Sequence, residues 1–264
     1  MVAGSKEPIS STPHRLSFPV PILQHFSYTF LAFAMRNYAT EAFASLCRAD
    51  QVFLRDLPKA ELHAHLNGCI PMSCLQDLAR QRVQQHQRQN RPCAEDDKEI
   101  TKGLATLEQG VSLQEIHEFF DLFPAIHALT STPTALRQAT KAVLIQFLEP
   151  QLENSEADKV GATVPAQCTY LELRTTPREN AHMSREQYLD AVLCEMEEYE
   201  EEKCALIVSV DRRMNEAVMT DCVRVAIKLK KAGRRIVGID LCGTPTVRLT
   251  CYCKAYLLVL TFEA

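Results

Sequence analysis

Four short phrases set the rhythm of this chain and limit what it can fold into. Residues 60–66, 170–174, 206–210 and 236–241 read as strands, and the intervals between them carry apolar residues at helical spacing. Strands that alternate with helices pair in parallel, because a crossover long enough to hold a helix returns the chain to the same end of the sheet.

The helical segments are specified at different strengths. Met72, Leu75, Leu78 and Val83 form one apolar stripe after Pro71, and the polar run 84–97 reads as a solvated loop. Ser112 and Glu115 form a capping-box pair opening a helix with Leu113, Ile116, Phe120 and Phe123 on its apolar face. Thr132-Pro133 opens another, through Leu136, Ala139, Val143 and Phe147. Residues 151–168, with Asn154-Ser155, Gly161 and Pro165, read as an inserted surface loop. Ser184 and Gln187 cap the next helix, which is predicted to end in the acidic run 195–202 as a solvated face. Residues 215–231 are amphipathic through Val218, Cys222, Val225 and Leu229, with Gly233 where a helix C-cap belongs.

Polar residues fall at one end of these strands. His65, Arg174, Asp211 and Gly243 stand at or just after strand ends, where (β/α)8 barrels build their active sites. The expected fold class is therefore α/β, of the (β/α)8 TIM-barrel type, with about the first four β/α units present. A doubly wound sheet fits the same order but offers no reason for two histidines on the first strand.

Those histidines belong to the phrase Leu57-Pro58-Lys59-Ala60-Glu61-Leu62-His63-Ala64-His65-Leu66-Asn67-Gly68. In a regular strand Glu61, His63 and His65 share one face and Leu62, Ala64 and Leu66 the other. Two imidazoles presented together make half of a transition-metal site, for which zinc is the usual occupant.

Composition narrows the partners and the compartment. With 46% hydrophobic residues, 23% charged and a net charge of −4, the chain reads as a globular protein with no attraction for nucleic acid. Eleven cysteines without paired spacing fit a reducing compartment, and a cytoplasmic location is expected. The apolar stretch 16–35 is interrupted by Pro19, Pro21, Gln24 and His25, so no membrane span is expected. Ala32-Phe33-Ala34 resembles a small-residue cleavage site; alternatively Met35 is the natural start and residues 1–34 an added leader. The plan is an N-terminal extension over 1–55, partly disordered or helical, a half-barrel over 56–247, and a divergent tail over 248–264.

Five ordered phrases then resemble one family. They are Leu62-His63-Ala64-His65-Leu66-Asn67-Gly68, Ala125-Ile126-His127-Ala128-Leu129-Thr130, Tyr170-Leu171-Glu172-Leu173-Arg174-Thr175-Thr176-Pro177, Ser209-Val210-Asp211-Arg212-Arg213 and Gly238-Ile239-Asp240-Leu241-Cys242-Gly243-Thr244-Pro245. Together they are similar to the zinc-dependent adenosine and AMP deaminases of the metal-dependent hydrolase superfamily. Within it they look most like the adenosine-deaminase-like branch, which removes the N6 substituent of N6-methyl-AMP. The resemblance implies a hydrolytic deaminase converting an N6-substituted purine nucleotide to IMP plus the amine, with one Zn2+ ion. Its members are expected to be monomers acting on a small nucleotide.

By that resemblance His63 and His65 are two zinc ligands, and His65 and Asn67 also contact substrate. An amide at Asn67 adds no negative charge, which suits a substrate that brings phosphate. Arg174, Thr175, Thr176 and Pro177 form a phosphate cradle; alternatively Arg174 pairs with Glu172 at the barrel rim. His127, read as following a helix, is a substrate contact or else a satisfied core histidine. Asp211 accepts from a ribose hydroxyl or pairs with Arg212 or Arg213. Gly243 permits close backbone approach of the purine, or is a turn glycine before Pro245.

The resemblance stops after Val247. The family's later zinc histidine, proton-shuttling glutamate and metal-binding aspartate have no counterparts, since no histidine follows His182 and Glu263 lies in the tail. Two histidines hold zinc weakly, and losing the general acid/base residue costs a factor on the order of 10²–10⁴. This chain is therefore expected to be a truncated form with little deaminase activity. The alternatives are a catalytically dead half-barrel that binds nucleotide or a partner, and a different amidohydrolase built on the His-x-His strand.

Overall fold

The computed structural model describes residues 41–88, 95–108, 122–152 and 163–243. The predicted helix opening at Ser112, the N-terminal extension up to residue 40 and the tail over 248–264 lie outside the described residues.

Four strands, β1 (Ala60–His65), β4 (Tyr170–Thr175), β5 (Cys204–Asp211) and β6 (Ile236–Cys242), form one sheet in the order β1-β4-β5-β6. Every pairing is parallel. Between β1 and β4, β2 (Gln151–Leu152) and β3 (Thr163–Val164) make a short antiparallel ladder at the ends of the predicted insert.

The helices follow the apolar stripes. They are α1 (Arg48–Asp56), α2 (Met72–Arg88), α3 (Glu95–Glu108), α4 (Phe123–Leu129), α5 (Pro133–Leu148), α6 (Arg185–Met196) and α7 (Glu216–Lys231). The Thr132 hydroxyl accepts from the Ala135 amide at the start of α5, and Asn215 from the Val218 amide at the start of α7. Ser184 and Gln187 form the capping box, each side chain accepting from the other's amide. Gly233 adopts φ 82° just past α7, a left-handed conformation that glycine reaches without strain.

Strand alternation places the core. On β4, Leu171, Leu173 and Thr175 are buried while Tyr170, Glu172 and Arg174 are half-buried. The buried face, with Leu206 and Val208 of β5, joins Leu136, Val143 and Leu144 of α5 and Leu189, Val192 and Leu193 of α6 in one cluster. Each such fully buried side chain contributes about 1.5–3 kcal/mol relative to exposure. The opposite face of β4, with Tyr170, Glu172 and Arg174, is the more polar one.

Three expectations change. The run 84–97 is not a loop throughout: α2 continues to Arg88, and Asp97 lies in α3. Gln and Arg are good helix formers, and Arg82 and His86 of α2 reach Asp97 at 2.8 and 3.1 Å, tying the two helices together. The acidic run is not a helix face, because α6 ends at Met196. Glu195 pairs with Arg137 and Glu197 with Arg234, while the Arg235 guanidinium donates to the carbonyls of Met196, Tyr199 and Glu200 beyond the helix end. His127 lies inside α4 rather than after a helix.

Candidate active site

The first strand sets its two histidines side by side, as alternation predicts, but the strand around them is not regular. Ala64 and Leu66 are buried, but Leu62 is 52% exposed. β1 gains one residue on β4 between Glu61 and Ala64, where the paired positions of β4 advance only from Leu171 to Leu173. This bulge breaks the two-residue period. The His63 amide donates to Glu61 Oε1 at 2.7 Å. The His63 and His65 rings then lie with centroids 5.3 Å apart, inclined at 46°. Burial, with the neighbouring His63 and Arg174, holds the His65 pKa below the ordinary imidazole value. A neutral imidazole is the form that ligates metal. The pair fits two neighbouring positions on a zinc ion. Among the described residues no group of three or more His, Cys, Asp or Glu side chains is placed to hold one, so the donors present fit half of a catalytic set.

Arg174, near the end of β4, does not pair with Glu172. Its Nη1 donates to Asp240 Oδ2 of β6 at 2.5 Å and its Nη2 to the Leu62 carbonyl of β1 at 2.7 Å. Glu172 instead accepts from the Tyr170 hydroxyl at 3.2 Å. The guanidinium therefore faces protein partners rather than an open cradle.

Thr175 turns its hydroxyl into the interior, 2.7 Å from the hydroxyl of the buried Tyr188 on α6. The Asn67 side chain lies beside the same phenol, whose pKa burial raises. Asn67 Oδ1 is buried with no partner among the described residues, leaving an acceptor available. Thr176 Oγ1 lies 3.7 Å from Cys242 Sγ, and Pro177 is buried behind it.

Beyond Pro177 a cleft of about 420 Å³ opens at the C-terminal side of the sheet. Its walls include Pro124 and His127 of α4, Ser131, the 178–180 segment after β4, Arg185 and Tyr188 of α6, and Met214 after β5. Burial, with the charge of Arg178, pushes the His127 pKa down to about 3. Arg185 is held by Glu179 and Asp221. Arg178 makes no ion pair among the described residues, so it gives the cleft its unbalanced positive charge.

Asp211 ends β5 paired with Arg213, which donates through its backbone amide at 2.8 Å and its Nη2 at 2.6 Å. Burial alone would raise the Asp211 pKa, but the Arg213 hydrogen bonds and charge outweigh it and hold the carboxyl below its ordinary value. Of the two readings of Asp211, the observed geometry is the ion pair, with Arg213 rather than Arg212. Gly243 adopts φ 96°, and a Cβ there would lie 2.8 Å from Asp211 Oδ1. Its lack of a side chain is therefore required by the carboxylate beside it.

Three contributors escaped the sequence reading. Asp240 stood in a quoted phrase and Arg178 directly follows Pro177, so both were adjacent to recognised signals. Tyr188 gave no signal, because at its position on α6 it reads as one more apolar core residue.

No family model matches the chain. It is 32% identical over 209 residues to the adenosine deaminase-like protein of Drosophila pseudoobscura, covering 77% of this chain and 54% of that one. It is 31% identical over 209 residues to the N6-methyl-AMP deaminase of Homo sapiens, covering 76% and 50%. The Arabidopsis ADAL crystal structure complexed with IMP superposes with a TM-score of 0.55 at 28% identity, covering 80% of this chain and 56% of that one. A zinc-bound Burkholderia ambifaria amidohydrolase, 17% identical, shares the fold with a TM-score of 0.54 over 83% and 53%. The chain thus spans about half the length of the curated relatives it matches.

Proposed function

We propose that this chain is a member of the adenosine deaminase-like family and supplies the nucleotide-binding half of a hydrolytic deaminase of N6-substituted purine nucleotides such as N6-methyl-AMP. The reaction is replacement of the N6 amine by water, giving IMP and methylamine. The observation that carries the reading is the cleft holding Arg178 and His127 beside the bonded Thr175–Tyr188 hydroxyls and Asn67, at the same sheet end as the His63–His65 pair.

In this reading Arg178 faces the nucleotide phosphate, with Ser131 and the 175–177 turn completing the wall. His127 is neutral at pH 7, so it orients the phosphate by donating a hydrogen bond without carrying charge. Asn67 Oδ1 accepts from the nucleoside. Gly243 leaves its backbone open to the purine edge, and Asp211, fixed by Arg213, bounds the ribose. His63 and His65 hold one zinc ion. A bound zinc ion activates water at neutral pH. The described residues provide no third ligand to complete the set. On those residues the chain binds nucleotide and turns it over little or not at all. A cytoplasmic setting agrees with the free thiols of all described cysteines, and no described helix is long and apolar enough to cross a membrane.

Calorimetry with AMP, IMP and adenosine, beside zinc analysis and turnover of N6-methyl-AMP, tests this. AMP and IMP bind, adenosine binds at least about tenfold more weakly, and Arg178→Ala removes that preference. A folded chain that binds none of the three overturns the nucleotide reading. Stoichiometric zinc with clear turnover overturns the half-site reading.

A further inference from the structure

The bulge in β1 leaves a backbone carbonyl whose partner comes from two strands at once. Because β1 gains a residue between Glu61 and Ala64, the Leu62 carbonyl falls outside the regular ladder. It accepts from Arg174 Nη2 at 2.7 Å. The same guanidinium is held through Nη1 by Asp240 Oδ2 at 2.5 Å, so one side chain ties β1, β4 and β6 together across the polar face. The Arg174 side chain is 12% exposed and that of Asp240 26%.

A buried ion pair adds little net stability unless all its groups are satisfied. Here Arg174 Nε and Asp240 Oδ1 are buried with no hydrogen-bond partner among the described residues. What the pair does provide is position. A guanidinium presents several donors in a rigid plane, so fixing one nitrogen on Asp240 fixes where the others point. His63 lies inside the bulged interval, where the two-residue period does not fix its direction, and Arg174 is a cross-strand tie on that stretch of backbone. Without that tie the direction of His63 relative to His65 is no longer held.

We propose that Arg174 and Asp240 are positioning residues for the His63–His65 pair: Asp240 fixes the Arg174 guanidinium, which holds the Leu62 carbonyl and keeps the bulge that sets how His63 lies against His65. This deepens the zinc reading of that pair and rests on it for its role in the reaction. It also changes the work of Arg174, from contacting a phosphate to shaping the strand that carries the metal ligands.

The test uses Cu(II)–iminodiacetate, a chelate with open positions for two imidazoles, added to the full 264-residue chain. Electron paramagnetic resonance with electron spin-echo modulation counts the bound imidazoles, and calorimetry gives affinity. The wild type binds one chelate through two imidazoles, and His63→Ala or His65→Ala reduces the count to one. Asp240→Asn, nearly isosteric, and Arg174→Met each lower affinity about tenfold and shift coordination toward one imidazole, while thermal unfolding stays cooperative. Arg174→Lys keeps the charge but cannot bridge both partners, so it behaves like Arg174→Met; full affinity in this variant overturns the bridging role. Two-imidazole binding within about twofold of wild type in both Asp240→Asn and Arg174→Met also overturns the proposal, as does single-imidazole binding by the wild type. If the wild type binds the copper chelate through both rings but takes up no zinc, the zinc reading fails and the positioning role stands.

Discussion

The hydroxyl of Tyr188 lies 2.7 Å from Thr175 Oγ1, joining the middle of α6 to the end of β4 inside the core. Asn67 lies beside the same phenol, so three segments meet at the edge of the proposed nucleotide cleft. Tyr188→Phe retains the ring and removes the oxygen. With the buried Thr175 hydroxyl left short of a bond, the chain should lose about 1–3 kcal/mol of stability. Urea unfolding of the two proteins checks this.

Gly243→Ala places a Cβ 2.8 Å from Asp211 Oδ1 at a backbone with φ 96°. The left-handed conformation costs a non-glycine residue about 1–2 kcal/mol. The clash adds to it by pushing Asp211 away from Arg213. Lower thermal stability and weaker AMP affinity are expected together. Unchanged values for both would show that the carboxylate moves aside freely.

His127 gives the protein an acid limit. Its folded pKa of about 3 lies below the unfolded value of 6.5, so it is buried neutral. The stability it contributes is complete above pH 6.5 and is lost as pH falls from there toward 3. By linkage the loss reaches about 1–2 kcal/mol at pH 5. His127→Gln removes the titrating group, so its stability should fall less between pH 7 and 5 than that of the wild type, as measured by denaturant unfolding at each pH.

Gly103 sits where α3 meets α4, and a Cβ there would lie 2.5 Å from the Ala125 Cβ. Alanine improves helix propensity by about 1 kcal/mol, but forcing two packed helices apart costs about 1–3 kcal/mol. The packing cost wins, so Gly103→Ala should unfold at lower temperature than the wild type.

Much of the fold was legible in the residue pattern. The four strand phrases, the caps at Thr132 and Ser184, and Gly233 after α7 depend on local periodicity and on backbone donors close in sequence. The continuation of α2 through residues 84–88 was not legible, because its polar face is stabilised by Asp97, far along the chain. The acidic run misled for a similar reason: Glu195 and Glu197 are held by Arg137 and Arg234 from other elements.

The sequence by itself determined the alternation of strand and helix, the family resemblance, and the polar residues gathered at strand ends, because each is written in residues close together in the chain. Tertiary structure decided what those residues touch. It set Arg174 against Asp240 and the Leu62 carbonyl, Asp211 against Arg213 and Thr175 against Tyr188, and it opened the cleft around Arg178. Each of these depends on which strands become neighbours and on a one-residue bulge in β1, and hydrophobic periodicity carries neither.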